Sequence, residues 1–183
     1  MKNLIEKIGL IKGDITHMDL DAIVNPTNKD LRYNTYTVSV DGCVYMAGGI
    51  RLRRACQKLN GCETGDAKIT KGYNLPCKYI IHTVGPVYKR GLGNKTSKQL
   101  ASCYKRSLEV LMENGLRTIA FPAISTGEFG YPIEKATKIA CDAVIDVLKN
   151  NMENIDKVRF VCFTKNDYEV YKKILRKKFN LDR

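Results

Sequence analysis

At 183 residues, 44% of them hydrophobic, the chain is long enough to bury a substantial core and too short for more than a small pair of domains. Its 31 lysines and arginines against 19 acids give a formal charge of +12, which favours anionic partners over cationic ones. No apolar run approaches the ~20 residues that span a bilayer, and the Met-Lys-Asn start lacks a signal peptide's hydrophobic segment, so a cytoplasmic protein without membrane contact is expected, with residues 1–183 as a single domain.

Leu4 to Lys12 reads as a first strand or strand pair, ended by Gly13-Asp14-Ile15-Thr16. Asp14, beside a glycine turn, could accept from an exocyclic amine or merely cap the turn. Asp21 to Val24 is a short buried strand that stops at Asn25-Pro26-Thr27-Asn28. Open α/β sheets place ligand contacts at such carboxyl ends, although an ordinary Asn/Pro turn has the same composition. Tyr33 to Val40 is β-branched and aromatic, with the period-two pattern of a strand. A helix is expected from about Cys43 to Leu59, with Leu52, Ala55, Cys56 and Leu59 at core spacing. Asp41 stands close to its start, either as a cap or as a fixed carboxylate at the lip of a cleft.

Ala67 to Tyr73 and Lys78 to Val84 are strands around the Asn74-Leu75-Pro76 turn. His82, inside the second, has no Ser, Cys or acid at a catalytic spacing and reads as structural, as does His17. Leu100, Tyr104, Leu108, Leu111 and Met112 repeat at helical spacing up to Asn114-Gly115. The β-prone run Arg117 to Phe121 then leads through Ser125-Thr126-Gly127-Glu128-Phe129 to a helix from Glu134 to Lys149, with Pro132 in its first turn. Free backbone N–H groups at a strand-to-helix junction can converge on a phosphate, and Phe129 could pack on a sugar. Val158 to Phe163 is the last strand, covered by a basic helix from Asp167 onward.

The seven cysteines show neither CxxC nor Cys/His pairing, so no disulfide framework, metal site or cofactor is expected. From Lys157 to the end nine Lys or Arg face three Asp or Glu, a local net of +6, and an acid-free patch holds Lys89, Arg90, Lys95, Lys98, Lys105 and Arg106. These faces could meet nucleic acid, but solvated helix surfaces are the plainer reading, and no RNA-binding aromatic signature accompanies them. The alternation of strands and helices predicts an α/β fold, a mixed sheet between two helical layers, with a cleft above the carboxyl ends of the strands.

Taken in order, Gly13-Asp14-Ile15-Thr16, Ala22 to Asn28, Val40-Asp41-Gly42, Gly65 to Thr70, His82 to Pro86 and Ile124 to Pro132 resemble the macrodomains, in particular their MacroD-like branch. The resemblance implies a three-layer α/β/α sandwich that binds ADP-ribose and hydrolyses an ester of it, either mono-ADP-ribose on Asp or Glu or O-acetyl-ADP-ribose, with ADP-ribose or an ADP-ribosylated protein as partner and a monomeric state. It implies that Asp14 accepts from the adenine amine with Ile15 beside the base, that Asn28 contacts the distal ribose, and that Asp41 fixes that ribose and places water, with Asn28 and Asp41 as the two catalytic residues. Asn25 joins the ligand-binding set, and Ser125, Thr126, Gly127, Glu128 and Phe129 correspond to the second phosphate loop. The glycine run that precedes Val-Asp-Gly in this branch is absent from Tyr33 to Ser39, and Tyr45 and Met46 stand where His-Arg is usual. These departures support a second reading, a module that binds ADP-ribose without turning it over.

Overall fold

The computed structural model describes residues 2–33 and 39–181. Six strands form one sheet: β1 (Ile8–Lys12), β2 (Ala22–Pro26), β3 (Ala67–Lys71), β4 (Tyr79–Thr83), β5 (Thr118–Phe121) and β6 (Lys157–Cys162). Their spatial order is β1-β6-β5-β2-β4-β3, parallel throughout except for β3 against β4, which is the expected mixed sheet. The helices are α1 (Lys2–Lys7), α2 (Val40–Lys58), α3 (Gly93–Glu113), α4 (Ile133–Asn150) and α5 (Lys165–Lys178).

Side chains alternate across a strand, and here that alternation divides the core into two layers. Ala22, Val24, Ile81, Ile119, Phe121, Val158 and Phe160 face one cluster with the apolar stripes of α3, α4 and α5. Ile23, Ile80, Ala120 and Val161 face a smaller cluster with Val44, Tyr45, Leu52 and Cys56 of α2. The buried strands read as nearly continuous apolar runs because both faces are covered. The predicted α/β/α sandwich is therefore what the chain forms.

Local corrections follow from packing. Lys2–Lys7 is helical, not part of a first strand; Leu4 anchors it in the core and the Lys7 ammonium donates to the Ile155 carbonyl at 2.7 Å. Asn3, Glu6 and Lys7 are tolerated in a helix that needs only one apolar anchor. The strand expected over Tyr33 to Val40 does not run to Val40, since Ser39 caps α2 by accepting from the Gly42 N–H at 3.1 Å and Val40 opens the helix; residues 34–38 lie outside the described residues. α2 breaks at Gly49, where φ of +75° suits glycine. Pro132 stands at the N-cap of α4, one residue before its first turn.

One acid ties three strands together at the amino ends of the sheet. Asp21 accepts from the Arg117 and Thr118 N–H groups, both at 3.0 Å, and from the Lys78 ammonium at 2.7 Å. Burial alone would raise its pKa, but these bonds outweigh it and hold the carboxyl at about 2. Asp21→Ala should cost roughly 2 kcal/mol in urea unfolding at neutral pH, from lost net hydrogen bonding and two unpaired amides. Because the folded value lies below the usual one, this contribution is fully present above about pH 4 and is lost as pH falls towards 2.

Candidate functional site

The parallel strands point their carboxyl ends the same way, and the loops leaving them form one rim. Gly13 and Asp14 leave β1, Phe163 leaves β6, Pro122 to Tyr131 leave β5, Thr27 and Asn28 leave β2, and Val84 to Pro86 leave β4. The connections leaving β5 and β2 run in opposite directions across the sheet, β5 to β6 on one side and β2 to β3 on the other. Such a switch point opens a crevice above the sheet.

Asp41, in the first turn of α2, is its most heavily perturbed acid. Its side chain does not cap the helix, a role taken by Ser39, but turns inward to accept from Asn25 Nδ2 at 2.7 Å. Burial pushes the carboxyl up to about 6, against the lowering effects of Asn25 and the neighbouring Thr27 hydroxyl. Asn25 itself is fully buried, and its Oδ1 has no hydrogen-bond partner among the described residues.

The opposite wall is the loop after β5. Ser125 takes φ of +65°, a conformation that costs a non-glycine residue energy and is usually maintained for function. Its hydroxyl is buried and, among the described residues, unpartnered. The turn closes through Tyr131 N–H to the Ser125 carbonyl and Gly130 N–H to the Gly127 carbonyl, both at 2.9 Å, while the Thr126 hydroxyl donates back to Ala123. The N–H groups of Ser125 to Phe129 find no acceptor among the described residues, which makes the loop a cradle of free donors. Gly85, after β4, is what lets this loop come close: a Cβ there would lie 2.1 Å from Ser125 Oγ.

The other expected residues are placed as follows. Asp14 caps a 3-10 turn at Ile15–His17, its Oδ1 accepting from Thr16 N–H at 2.9 Å and Thr16 Oγ1 at 2.7 Å. Ile15 is buried in the α2-side core. Asn28 shares no hydrogen bond with Asp41 among the described residues; its amide closes the turn before Tyr33, donating to the Arg32 carbonyl at 2.7 Å and accepting from the Arg32 N–H at 3.2 Å. Glu128 is exposed and Phe129 half-buried, its carbonyl accepting from Tyr88 N–H. Tyr45 is buried and donates to the Leu31 carbonyl at 2.6 Å, so it supports the 28–32 turn from below, and Met46 faces outward. Phe163, 76% exposed, was not singled out in the sequence; it leaves β6 directly beside Gly13, whose N–H donates to the Cys162 carbonyl.

Among the described residues no cluster of three or more His, Cys, Asp or Glu could hold a metal ion. Part of the basic surface is already paired: Lys105 with Asp146 at 2.6 Å, Lys178 with Asp142, and Arg106 with Asp66 and Glu109. No helix described is long and apolar enough to cross a membrane.

A family model described as "Macro domain" matches residues 24–140. The chain belongs to the macrodomain family. The matched span runs from β2 through the Ser125 loop into α4, and so carries both walls of the crevice. A MACROD2 ADP-ribose glycohydrolase of Xenopus laevis is 47% identical over 180 residues, 98% of this chain and 42% of that protein. This macrodomain thus spans less than half the length of that relative. A macro domain-containing protein of Chlorobaculum tepidum is 48% identical and matches at nearly full length, 92% of this chain and 95% of its own. Among solved structures, the Trypanosoma brucei macrodomain in complex with ADP-ribose superposes with a TM-score of 0.86 at 38% identity, over 93% of this chain and 70% of that one.

Proposed function

We propose that this macrodomain binds ADP-ribose along the rim from β1 to β2 and hydrolyses an ADP-ribosyl ester, with Asp41 as the base. The observation that carries the proposal is the buried Asp41 carboxylate held by Asn25 opposite a loop of free amides. Relatives named as ADP-ribose glycohydrolases and a neighbour bound to ADP-ribose support the ligand and the reaction class.

The rim offers three kinds of contact in a row. Asp14 offers Oδ2, which lies 3.7 Å from His17 Nδ1, to the adenine amine, Ile15 supports the base from below, and the exposed Phe163 ring can stack on it. The amides of Ser125, Thr126, Gly127, Glu128 and Phe129 face the diphosphate. Asn28 and Phe129 attend the distal ribose, and Asn25 holds Asp41 in place from beneath. From β1 to β2 is three inter-strand steps, about 14 Å, which separates an adenine from a distal sugar. In the reaction, water attacks at the ester, gives its proton to Asp41 and releases ADP-ribose plus the free carboxylic acid. The substrate is mono-ADP-ribose on an Asp or Glu side chain, or O-acetyl-ADP-ribose. Residues 1–183 act as one domain, and seven unpaired thiols suit a reducing, cytoplasmic compartment.

A second reading, binding without turnover, is favoured by one observation: both polar ends of the Asn28 amide are engaged with Arg32 rather than with Asp41, leaving it one free donor and one free lone pair. The test is release of ADP-ribose from a glutamate-linked substrate across pH. Hydrolysis by ionised Asp41 should be near maximal above pH 7 and fall about tenfold per unit below about 6. Tight ADP-ribose binding with no release at any pH would leave the binding module.

A further inference from the structure

Beneath the crevice, four polar side chains form a line on the α2 face of the sheet: Thr70 of β3, His82 of β4, Asn25 of β2 and Asp41 of α2. Asn25 and His82 stand opposite each other in register, Thr70 lies diagonal to His82, and none of the four is more than 8% exposed. Hydrogen-bond accounting assigns every proton in the line. An ionised Asp41 only accepts, so Asn25 must turn Nδ2 towards it. The same Nδ2 faces His82 Nδ1 at 3.4 Å, and an amide donor is accommodated there only if Nδ1 is bare. The proton of the neutral ring then sits on Nε2, 2.9 Å from Thr70 Oγ1 and 3.5 Å from Cys56 Sγ. Thr70 can accept it because its own hydroxyl donates to the Lys71 carbonyl at 3.2 Å.

We infer that Thr70 and His82 are positioning residues: the chain Lys71 carbonyl, Thr70, His82 fixes the Nε2–H tautomer, and that tautomer locks the Asn25 amide with its donor on Asp41, favouring the ionised acid. A reversed amide would set Oδ1 against the Nδ1 lone pair and the carboxylate together. Burial keeps His82 neutral, its pKa driven down to about 3, so no imidazolium competes. The ionisable groups facing Asp41 are Tyr45 and Cys56 of α2 and His82 of β4. Burial raises the first two, Cys56 to about 11, so both stay neutral while Asp41 titrates. The inference rests on Asp41 being the base, but its test does not.

Thr70→Val keeps the shape and removes the acceptor, whereas Thr70→Ser retains it. In the unliganded protein, long-range proton–nitrogen spectra should show His82 protonated at Nε2. The Asp41 carboxyl carbon should titrate roughly one unit higher in Thr70→Val, the size of one weakened hydrogen bond to the charged form, and return in Thr70→Ser. The acidic limb of kcat/KM should move with it, while KM changes little. A merely structural Thr70 would lower Tm and leave the titration midpoint in place. An unshifted Asp41 in Thr70→Val, or a native His82 protonated at Nδ1, overturns the inference. Should Thr70→Val fail to fold, the native His82 tautomer decides alone. A shifted Asp41 in a protein that releases nothing supports the positioning chain and removes the hydrolase reading.

Discussion

Asp41→Asn should lower release of ADP-ribose from an ester-linked substrate by 10²- to 10⁴-fold, the usual yield of a positioned general base, while changing ADP-ribose affinity by only a few-fold. The side chain keeps its size, and its carbonyl can still accept from Asn25 Nδ2, so the amide network stays satisfied. The same variant should also be more stable than the native protein at neutral pH. A carboxyl whose folded pKa is raised from 3.8 to about 6 binds its proton more tightly folded than unfolded. Stability is therefore lost as pH rises from about 4 to 6, on the order of 3 kcal/mol for a shift of this size, and asparagine does not incur that loss. Urea unfolding at pH 7 with a parallel single-turnover assay measures both. Activity retained within tenfold would remove Asp41 from the chemistry. Lost activity with unchanged or lower stability would mean that the carboxylate is better solvated than its burial implies.

This opposition between stability and activity explains which parts of the site were legible in the sequence. Periodicity located all six strands and every long helix, because buried strands and amphipathic helices are written in neighbouring residues. It misassigned Leu4 to Lys7, where the anchoring of Leu4 decides the matter, and the approach to α2, where Ser39 ends an apparently β-prone run by capping a helix. Asp41 could be singled out by its place at a helix start. Its surroundings could not, since Asn25, Thr70, Cys56 and His82 come from four elements and meet only when the sheet forms. His82 read as structural because no partner stood near it in sequence, and it is indeed buried and neutral. Phe163 was counted as the end of a strand. One signal could have found it: an aromatic just past a buried strand, at the carboxyl edge where ligands sit. Asn28 and Asn25 looked equivalent on either side of Pro26 and Thr27, but strand parity turns Asn25 under α2 and leaves Asn28 to close its own turn.

Gly127→Glu should weaken ADP-ribose binding by roughly 10- to 100-fold without unfolding the protein. A Cβ at Gly127 meets nothing within 4 Å, and its φ is not among the positive ones, so a side chain there fits the native loop. What changes is charge. A carboxylate some 5 Å from a bound diphosphate costs on the order of 1–3 kcal/mol at surface-like screening, which is the stated range in Kd. Gly127→Ala supplies the control for shape and should bind within a few-fold of native. Gly85→Ala supplies the opposite control, because its methyl would collide with Ser125 Oγ and displace the whole cradle, lowering Tm along with affinity. With the glycine run absent before Asp41, the amides of Ser125 to Phe129 should carry a larger share of the diphosphate, so the Gly127→Glu loss is expected even in high salt, where steering by the +12 charge is screened. Isothermal titration with ADP-ribose at low and high salt distinguishes the two effects. Native affinity in Gly127→Glu would mean that the diphosphate lies away from this loop and that the crevice binds its ligand in another register.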